Sequence, residues 1–202
     1  MKMKKIVLIA FSCLYIISAK VNAQDRSWGV MAGVNGSMVT KLSDNTTFKP
    51  GGNLGIFMNQ SNHSRTGMKV ELLYTQMGSG FENTNSTLDL HYIQLPVYGV
   101  WYLNEKGNKL RPKLMAGPYV GALIGANGSN TENYSYRPVN FKKIDVGLRA
   151  AMGLNYRLNE KIWLNSEVYF AQGFFDNFKS EDTKTMINQS YGLNVGVSFP
   201  FK

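Results

Sequence analysis

The sequence predicts an all-β fold, an eight-stranded antiparallel up-and-down β-barrel that spans a membrane. Three features predict this fold. The chain begins with an export signal, the rest divides into long segments that alternate between apolar and polar or glycine residues, and polar connections separate these segments. A closed barrel pairs all of its backbone groups within the sheet, so it can cross a bilayer without a transmembrane helix.

The first residues have the pattern of a secretory signal peptide. Lys2, Lys4 and Lys5 form a basic start, residues 6–19 are mostly apolar, and Ala23 ends a short cleavage motif. The apolar stretch is short for a helix that spans about 30 Å of hydrocarbon. We therefore expect residues 1–23 to be a signal peptide that is removed, and residues 24–202 to form the barrel domain.

Cysteine content and charge exclude several classes of protein. Cys13 is the single cysteine and lies inside the signal, so the mature chain has no disulfide and no thiol chemistry. Removal of the four lysines in residues 1–23 lowers the basic count from 22 to 18, against 13 acidic residues. These charges are dispersed, whereas a nucleic-acid-binding protein concentrates basic residues on one face. We expect no nucleic-acid partner.

Eight segments have the composition and length of transmembrane strands. They are rich in Gly, Tyr, Phe, Val and Asn, and they lack a helical period. Most are longer than an average soluble strand of about five or six residues and fit the roughly 9–11 that a tilted membrane strand needs. The predicted strands are residues 28–39, 51–60, 67–78, 88–103, 110–124, 142–157, 162–175 and 189–201.

The two faces of these strands differ in a way that favours a membrane. In residues 144–155, one face carries aliphatic side chains such as Ile144 and Leu148, and the other carries glycine with Asp145 and Arg149. A soluble barrel packs bulky apolar residues inside. Here the small, glycine-rich face also bears the charges, so we expect the apolar face to meet lipid and the charged face to line the lumen.

The connections alternate in length, as in outer-membrane barrels, where periplasmic turns are short and outer loops are longer. With the N-terminus in the periplasm, all four long connections lie outside the cell. The long, polar connections are residues 40–50, 79–87, 125–141 and 176–188, and the short ones are residues 61–66, 104–109 and 158–161.

Aromatic residues and prolines add detail to this arrangement. Trp28, Trp101 and Trp163 fall near the expected periplasmic ends of their strands, where an interfacial aromatic girdle belongs. The parity of Trp163 is wrong for a lipid-facing residue, so either a bulge intervenes or this ring caps the lumen. Pro96 and Pro118 remove donors within predicted strands, and we expect a bulge or local irregularity at each.

Charged residues on the inward face are candidates for an ion-pair network. The interior of an eight-stranded barrel is just wide enough for side chains to fill, and an unpaired buried ion costs several kcal/mol. We expect a Glu71–Arg149 or a Glu167–Lys113 pair in a network that plugs the lumen; a narrow gated pore is the alternative. The inward-facing charged residues are Lys69, Glu71, Lys113, Asp145, Arg149 and Glu167.

The long outer connections are candidates for recognition, since loops on a rigid scaffold often carry binding. Exposed aromatic residues and arginine are common at recognition hot spots. Tyr134, Tyr136 and Arg137 lie in one long connection and Phe178 in another. They indicate a site for a surface ligand, although a hydrophilic cap without a ligand explains the same composition.

Patterns for catalysis or metal binding are sparse. His63 is expected in a periplasmic turn, and His91, near Asp89, shares its lipid-facing side with Ile93 and Leu95. A hydrolase needs a nucleophile held by a base and an orienting acid. The sequence also has no cluster with metal-ligand spacing. We expect no enzymatic activity and no cofactor.

Several stretches together resemble a known family. They run in order from WGVMAGVNGS near the start of the mature chain to YGLNVGVSFPF near its end, and the most distinctive are ELLY at 71–74, YIQLP at 92–96 and AGPY at 116–119. In their order and spacing they resemble the PorT-like outer-membrane β-barrel proteins of the Bacteroidetes. The resemblance implies an integral outer-membrane protein with eight strands and no catalytic residues.

The expected role and partners follow from this architecture. We expect a monomeric or weakly associating barrel in outer-membrane lipid, with a plugged lumen and surface loops in a structural, adhesive or ligand-binding role. The C-terminal strand, ending in Phe199-Pro200-Phe201-Lys202, looks like a signal for the barrel-assembly machinery. The alternative functions are a narrow porin-like channel and a component of a protein-export machinery.

Overall fold

The computed structural model describes residues 26–40, 46–62, 65–81, 87–129, 142–175 and 187–201. They form a closed antiparallel barrel in which each strand pairs with its neighbours in sequence and the last strand pairs with the first. This confirms the predicted fold class. The eight strands are β1 Arg26–Val39, β2 Thr46–Ser61, β3 Thr66–Phe81, β4 Thr87–Tyr102, β5 Leu110–Ser129, β6 Ile144–Arg157, β7 Trp163–Gly173 and β8 Asn188–Pro200.

Each strand alternates between the lumen and the outer wall, because successive side chains of a pleated strand point to opposite faces. In β6, Asp145 and Arg149 are buried, while Ile144, Leu148 and Met152 are exposed. Large exposed apolar side chains occur on every strand, and the buried polar side chains point inward. Such an outer wall is unfavourable in water and suits a hydrocarbon environment.

Glycines on the inward face make room for aromatic rings in the lumen. Gly147 of β6 lies opposite Tyr119 of β5, and Gly192 of β8 lies opposite Tyr169 of β7. A Cβ atom at Gly147 would lie 2.6 Å from the Tyr119 ring, and one at Gly192 would lie 2.8 Å from the Tyr169 ring. Both tyrosines are buried. Pairing glycine with tyrosine therefore fits large rings into a narrow barrel.

Two of the three tryptophans contribute to the predicted aromatic girdle. Trp28 and Trp101 are exposed, and the ring centroids of Trp28 and Phe199 lie 5.7 Å apart. Trp163 follows the inward parity of Asn165, and its pairing with both neighbouring strands continues without a register shift. The ring therefore caps the lumen, and the alternative of a bulge at this position is wrong.

Pro96 and Pro118, the two prolines singled out from the sequence, interrupt pairing without moving the register. Within the described sheet, no ladder pair joins Pro96 to β3, yet the pairs on either side keep one register. The ladder between β4 and β5 is interrupted at Pro118 in the same way. The expected irregularities are therefore confirmed. The register between β4 and β5 shifts elsewhere, at His91 and Tyr92.

Strand β2 is longer than predicted. It begins at Thr46 rather than at residue 51, and Pro50 pairs with Gly36 of β1. On the β3 side, the register shifts between Phe48 and Asn53. Pro50 therefore lies where the ladder to β3 is already broken, so its missing N–H is tolerated.

The connections divide the barrel into two ends. The turn end, which also holds Arg26 and Phe201, has the connections 62–65, 103–109 and 158–162; the loop end has 40–45, 82–86, 130–143 and 174–187. Only the last two of these are clearly longer than the turns, because β2 and β3 extend further toward the loop end than expected. The predicted alternation of short and long connections is thus wrong for the first half of the barrel.

Candidate functional site in the barrel lumen

Four charged side chains meet inside the barrel, and we call them the lumen cluster: Lys69 and Glu71 of β3, Lys113 of β5 and Glu167 of β7. Each is at most 2 % exposed. Lys69 Nζ lies 2.5 Å from Glu71 Oε1 and also contacts Glu167 Oε2. Lys113 Nζ lies 3.8 Å from the same Glu167 oxygen. The structure therefore brings together Lys113 and Glu167, one of the two pairs expected from the sequence.

Neutral side chains complete the surroundings of the two carboxylates. The Tyr98 hydroxyl donates to Glu71 Oε2 at 3.3 Å, and Asn194 Nδ2 donates to Glu167 Oε1 at 3.2 Å. Lys69 Nζ also lies 4.8 Å from the centroid of the Phe57 ring. A buried ion pair is tolerated only when hydrogen bonds satisfy its remaining oxygens and protons. Glu167 meets that condition through Lys69 and Asn194, whereas Lys113 Nζ has no hydrogen-bond partner among the described residues and only the 3.8 Å contact with Glu167.

Arg149 is inward and buried, but it does not join the cluster as expected. Its guanidinium lies on the Tyr169 ring, with Cζ 3.5 Å from the centroid. Its Nε and both Nη atoms make no hydrogen bond within the described part of the chain. Among the described residues Arg149 makes no hydrogen bond to Glu71, because the neighbouring strand presents an aromatic face to this cation, and the expected Glu71–Arg149 pairing stays a prediction.

Asp145 belongs to a separate cluster near the loop end. It is fully buried, and its Oδ2 accepts hydrogen bonds from the Tyr119 hydroxyl at 3.1 Å and from Asn188 Nδ2 at 2.9 Å. Asn188 Nδ2 also donates to the Tyr92 hydroxyl at 3.1 Å. Neutral donors on β5 and β8 therefore bind this carboxylate, and the Tyr92 hydroxyl on β4 accepts from one of them.

Asparagines that the sequence reasoning did not single out connect these groups. Asn53 Nδ2 donates to the Tyr169 hydroxyl and to Asn194 Oδ1, both at 2.9 Å, and Asn35 Nδ2 donates to Asn53 Oδ1 at 2.8 Å. Asn194 in turn donates to Glu167. These residues share the inward parity of the charged set, so the period-two pattern could have identified them. Because asparagine is neutral, a search for inward-facing charges does not find them.

His91 lies on the outer wall, with the parity expected from the sequence. Its Nδ1 is 2.7 Å from the Tyr74 hydroxyl, and the two rings stack with centroids 5.9 Å apart. The nearby Asp89 contacts Lys49. His91 therefore has a tyrosine partner rather than the nucleophile and acid that hydrolysis requires.

Several expectations fall outside the described residues. They include the proposed recognition residues Tyr134, Tyr136, Arg137 and Phe178, as well as His63. Across the described segments, no group of three His, Cys, Asp or Glu side chains could hold a metal ion. In the same segments, no helix is long and apolar enough to cross a membrane.

An apolar outer wall around a buried, charged lumen defines a class of protein, the β-barrels that span a membrane. The chain belongs to the outer membrane protein beta-barrel domain family, whose pattern matches residues 22–179. It is therefore an outer-membrane barrel protein. No curated protein sequence is significantly similar to it. The finer resemblance to PorT-like proteins of the Bacteroidetes stays a prediction.

Solved barrels share the fold at low sequence identity. Neisserial surface protein A is 13 % identical with a TM-score of 0.58, covering 88 % of this chain and 97 % of its own. The outer membrane protein OprG from Pseudomonas aeruginosa is 14 % identical with a TM-score of 0.53, covering 87 % and 97 %. The outer membrane enzyme PagL is 15 % identical with a TM-score of 0.50, covering 83 % and 97 %. These similarities concern the fold alone.

Proposed function

We propose that the protein is a closed outer-membrane barrel with a plugged lumen, whose role at the cell surface is structural, adhesive or ligand-binding. The observation that carries this proposal is the burial of the lumen cluster. Its members come from β3, β5 and β7, so side chains reach inward from several sides of the barrel. An open channel would leave such charges hydrated.

The contacts around the cluster support a fixed plug rather than a movable gate. Lys69 is held by two carboxylates, and Glu167 is held by Lys69 and Asn194. Displacing either side chain would break hydrogen bonds to buried charged groups, each worth about 1.5–3 kcal/mol. Ions therefore meet a barrier of paired side chains in the lumen.

The loop end is the part of the barrel that we assign to surface contacts. Short turns of outer-membrane barrels face the periplasm, so the turn end lies there and the connections 130–143 and 174–187 lie outside the cell. Tyr134, Tyr136, Arg137 and Phe178 would supply aromatic and cationic contacts to a surface ligand. Neisserial surface protein A, with the same fold, is a surface protein by name.

Planar-bilayer recording tests the plug. We expect the purified protein to give no conductance steps. A variant with Lys69, Glu71 and Glu167 all changed to Ala should conduct, provided that it keeps the heat-dependent gel mobility of a folded barrel. Conductance of the unchanged protein would instead favour the narrow porin-like channel. Specific co-purification of secretion proteins would favour the export component.

Trypsin treatment of intact cells tests the orientation. We expect cleavage after Lys184 within the fourth outer connection, residues 174–187, while Arg65 and Lys161 in the turns are cut only after the cells are broken. Cleavage at Lys161 in intact cells would show that the turn end faces outward. The assignment of the loop end to surface contacts would then be wrong.

The chain termini carry two further proposals about export. We infer that the signal peptide is cleaved after Ala23 and that the C-terminal strand guides insertion by the barrel-assembly machinery. The mass of the intact polypeptide from outer membranes should correspond to residues 24–202. We also expect the barrel to be monomeric. We also propose that the protein is not an enzyme and holds no cofactor, which the Tyr74–His91 contact supports.

A further inference from the structure

A cavity of about 270 Å³ opens at the turn end of the barrel, and we call it the turn-end pocket. Its walls come from the turn-end residues of every strand except β3 and from the connection 103–109. It lies at the opposite end of the barrel from the long surface connections. Its lining includes no residue of the lumen cluster and no residue of the long surface connections.

The pocket is strongly basic. Arg26, Lys106, Arg111 and Arg157 line it, and none of its described lining residues is acidic. The nearby Glu105 lies outside the pocket lining and pairs with Arg65, with Nη2 to Oε1 at 3.5 Å. A recess lined by charges of one sign concentrates counterions, since its low-dielectric walls focus the field. The pocket therefore attracts anions from the periplasmic side.

Arg111 is held in place without a carboxylate partner. Its guanidinium lies on the Tyr102 ring, with Cζ 3.8 Å from the centroid, and Nη1 donates to Ser61 Oγ at 3.1 Å. The residue is 6 % exposed, and its Nε and Nη2 have no hydrogen-bond acceptor within the described part of the chain. A largely buried cation with unused donors is costly unless another group compensates it.

The rest of the wall suits an anion with an organic body. Trp163 closes one side of the pocket, and Arg157 lies over it with Cζ 5.8 Å from the ring centroid. Ser27 and Ser198 offer hydroxyl donors to the anionic group, and Asn155 Oδ1, which has no hydrogen-bond partner among the described residues, is an acceptor for a hydroxyl of the organic body. Arginine and hydroxyl donors bind carboxylate and phosphate oxygens well.

We propose that the turn-end pocket binds a small soluble oxyanion, a solute that carries a phosphate or carboxylate group and enters from the periplasm. Arg111 is the central contact, since it is fixed on Tyr102 with donors to spare. A phospholipid headgroup offers the same phosphate chemistry. The inward-facing walls favour the soluble anion, because a lipid would have to pass the girdle formed by Trp28 and Trp101.

Titration calorimetry of the full protein in dodecyl maltoside tests the site, with inorganic phosphate and citrate as the two probes. We expect Arg111→Gln to weaken binding of at least one probe by roughly tenfold, because charge-assisted hydrogen bonds are lost. Arg65→Gln is the matched control: it removes one arginine at the same end, outside the pocket, and should change the affinity less than twofold. A folded barrel is verified by the gel shift on boiling.

Three results would overturn the proposal. The first is the absence of binding of either probe to the unchanged protein. The second is an equal effect of Arg65→Gln and Arg111→Gln, which would mean that general surface charge attracts the anion. If Arg111→Gln does not fold, this second comparison is made between Lys106→Gln, in the exposed turn, and Arg65→Gln. The third is loss of phosphate binding in phosphatidylglycerol nanodiscs but not in phosphatidylcholine nanodiscs, which would assign the pocket to a lipid headgroup.

Discussion

Two neighbouring residues of one strand show two ways of burying a cation. Lys113 and Arg111 occupy successive inward positions of β5, and both are largely buried. Lys113 joins the lumen cluster, 3.8 Å from the Glu167 carboxylate. Arg111 belongs to the turn-end pocket, where an aromatic ring and a hydroxyl hold it and no described lining residue is acidic.

The difference implies two roles for buried cations within one lumen, one in the stability of the barrel and one in ligand binding. Cations that the chain neutralises with its own carboxylates contribute to a plug, and removing one partner leaves the other charge buried and unpaired. Arg111, whose Nε and Nη2 have no acceptor among the described residues, leaves a positive field that an anion from solution can meet. Stability should therefore depend strongly on the lumen cluster, and ligand binding on the pocket.

The largest expected effect is at Lys69. Lys69→Met leaves Glu71 and Glu167 facing each other inside the barrel, so we expect a loss of about 3–5 kcal/mol in the free energy of unfolding. Urea unfolding in lipid vesicles, followed by tryptophan fluorescence, measures it. The double variant Lys69→Met/Glu71→Gln should recover part of this loss, because Glu167 then keeps Lys113 as its partner. A single variant as stable as the unchanged protein would contradict the ion-pair assignment.

A smaller effect is expected at Arg149, which contacts a ring rather than a carboxylate. Arg149→Met should cost about 1–2 kcal/mol in the same unfolding experiment, in line with a desolvated cation–π contact. Arg149→Lys keeps the charge and loses the flat stacking on Tyr169. Its free energy of unfolding should lie between those of the unchanged protein and Arg149→Met. If Arg149→Met cost as much as Lys69→Met, the arginine would be compensating the carboxylates after all.

The Lys113–Glu167 pair should show a coupling energy of about 1 kcal/mol in a double-mutant cycle. Lys113→Met, Glu167→Gln and the double variant give the cycle. At 3.8 Å the two groups are further apart than Lys69 and Glu167, so the cycle for that second pair should give a larger value. If neither cycle shows coupling, the charged side chains are buried in the lumen without stabilising each other as ion pairs.

The sequence predicted which residues enter the lumen. Alternation with a period of two assigned all six charged candidates to the inward face, and the structure buries each of them. The reason is local: a strand with one polar face in a membrane barrel has a single favourable orientation. For the same reason, the parity of Trp163 predicted an inward-facing ring, and this ring forms part of the wall of the turn-end pocket.

The sequence could not predict which inward residues meet. Contacts across a barrel depend on the stagger between strands, a property of the closed sheet rather than of any one segment. Arg149 therefore lies against the Tyr169 ring without a hydrogen bond to Glu71, and Asp145 accepts a hydrogen bond from Asn188 near the loop end. The bounds of β2 failed for a related reason, since the register shift that accommodates Pro50 depends on β3.

The smallest expected effect is at the exposed turn pair Arg65–Glu105, whose side chains are 56 % and 77 % exposed. Arg65→Gln and Glu105→Gln should each change the free energy of unfolding by less than about 0.5 kcal/mol, because solvent screens an exposed pair. Both measurements use the same vesicles and the same fluorescence signal as the Lys69 variants. This pair, the lumen cluster and the turn-end pocket then form one series in which similar charges differ in burial and partners. A loss above 1 kcal/mol at Arg65 would show that the turn itself holds the barrel closed, and Lys161→Gln would then have to replace Arg65→Gln as the control for anion binding.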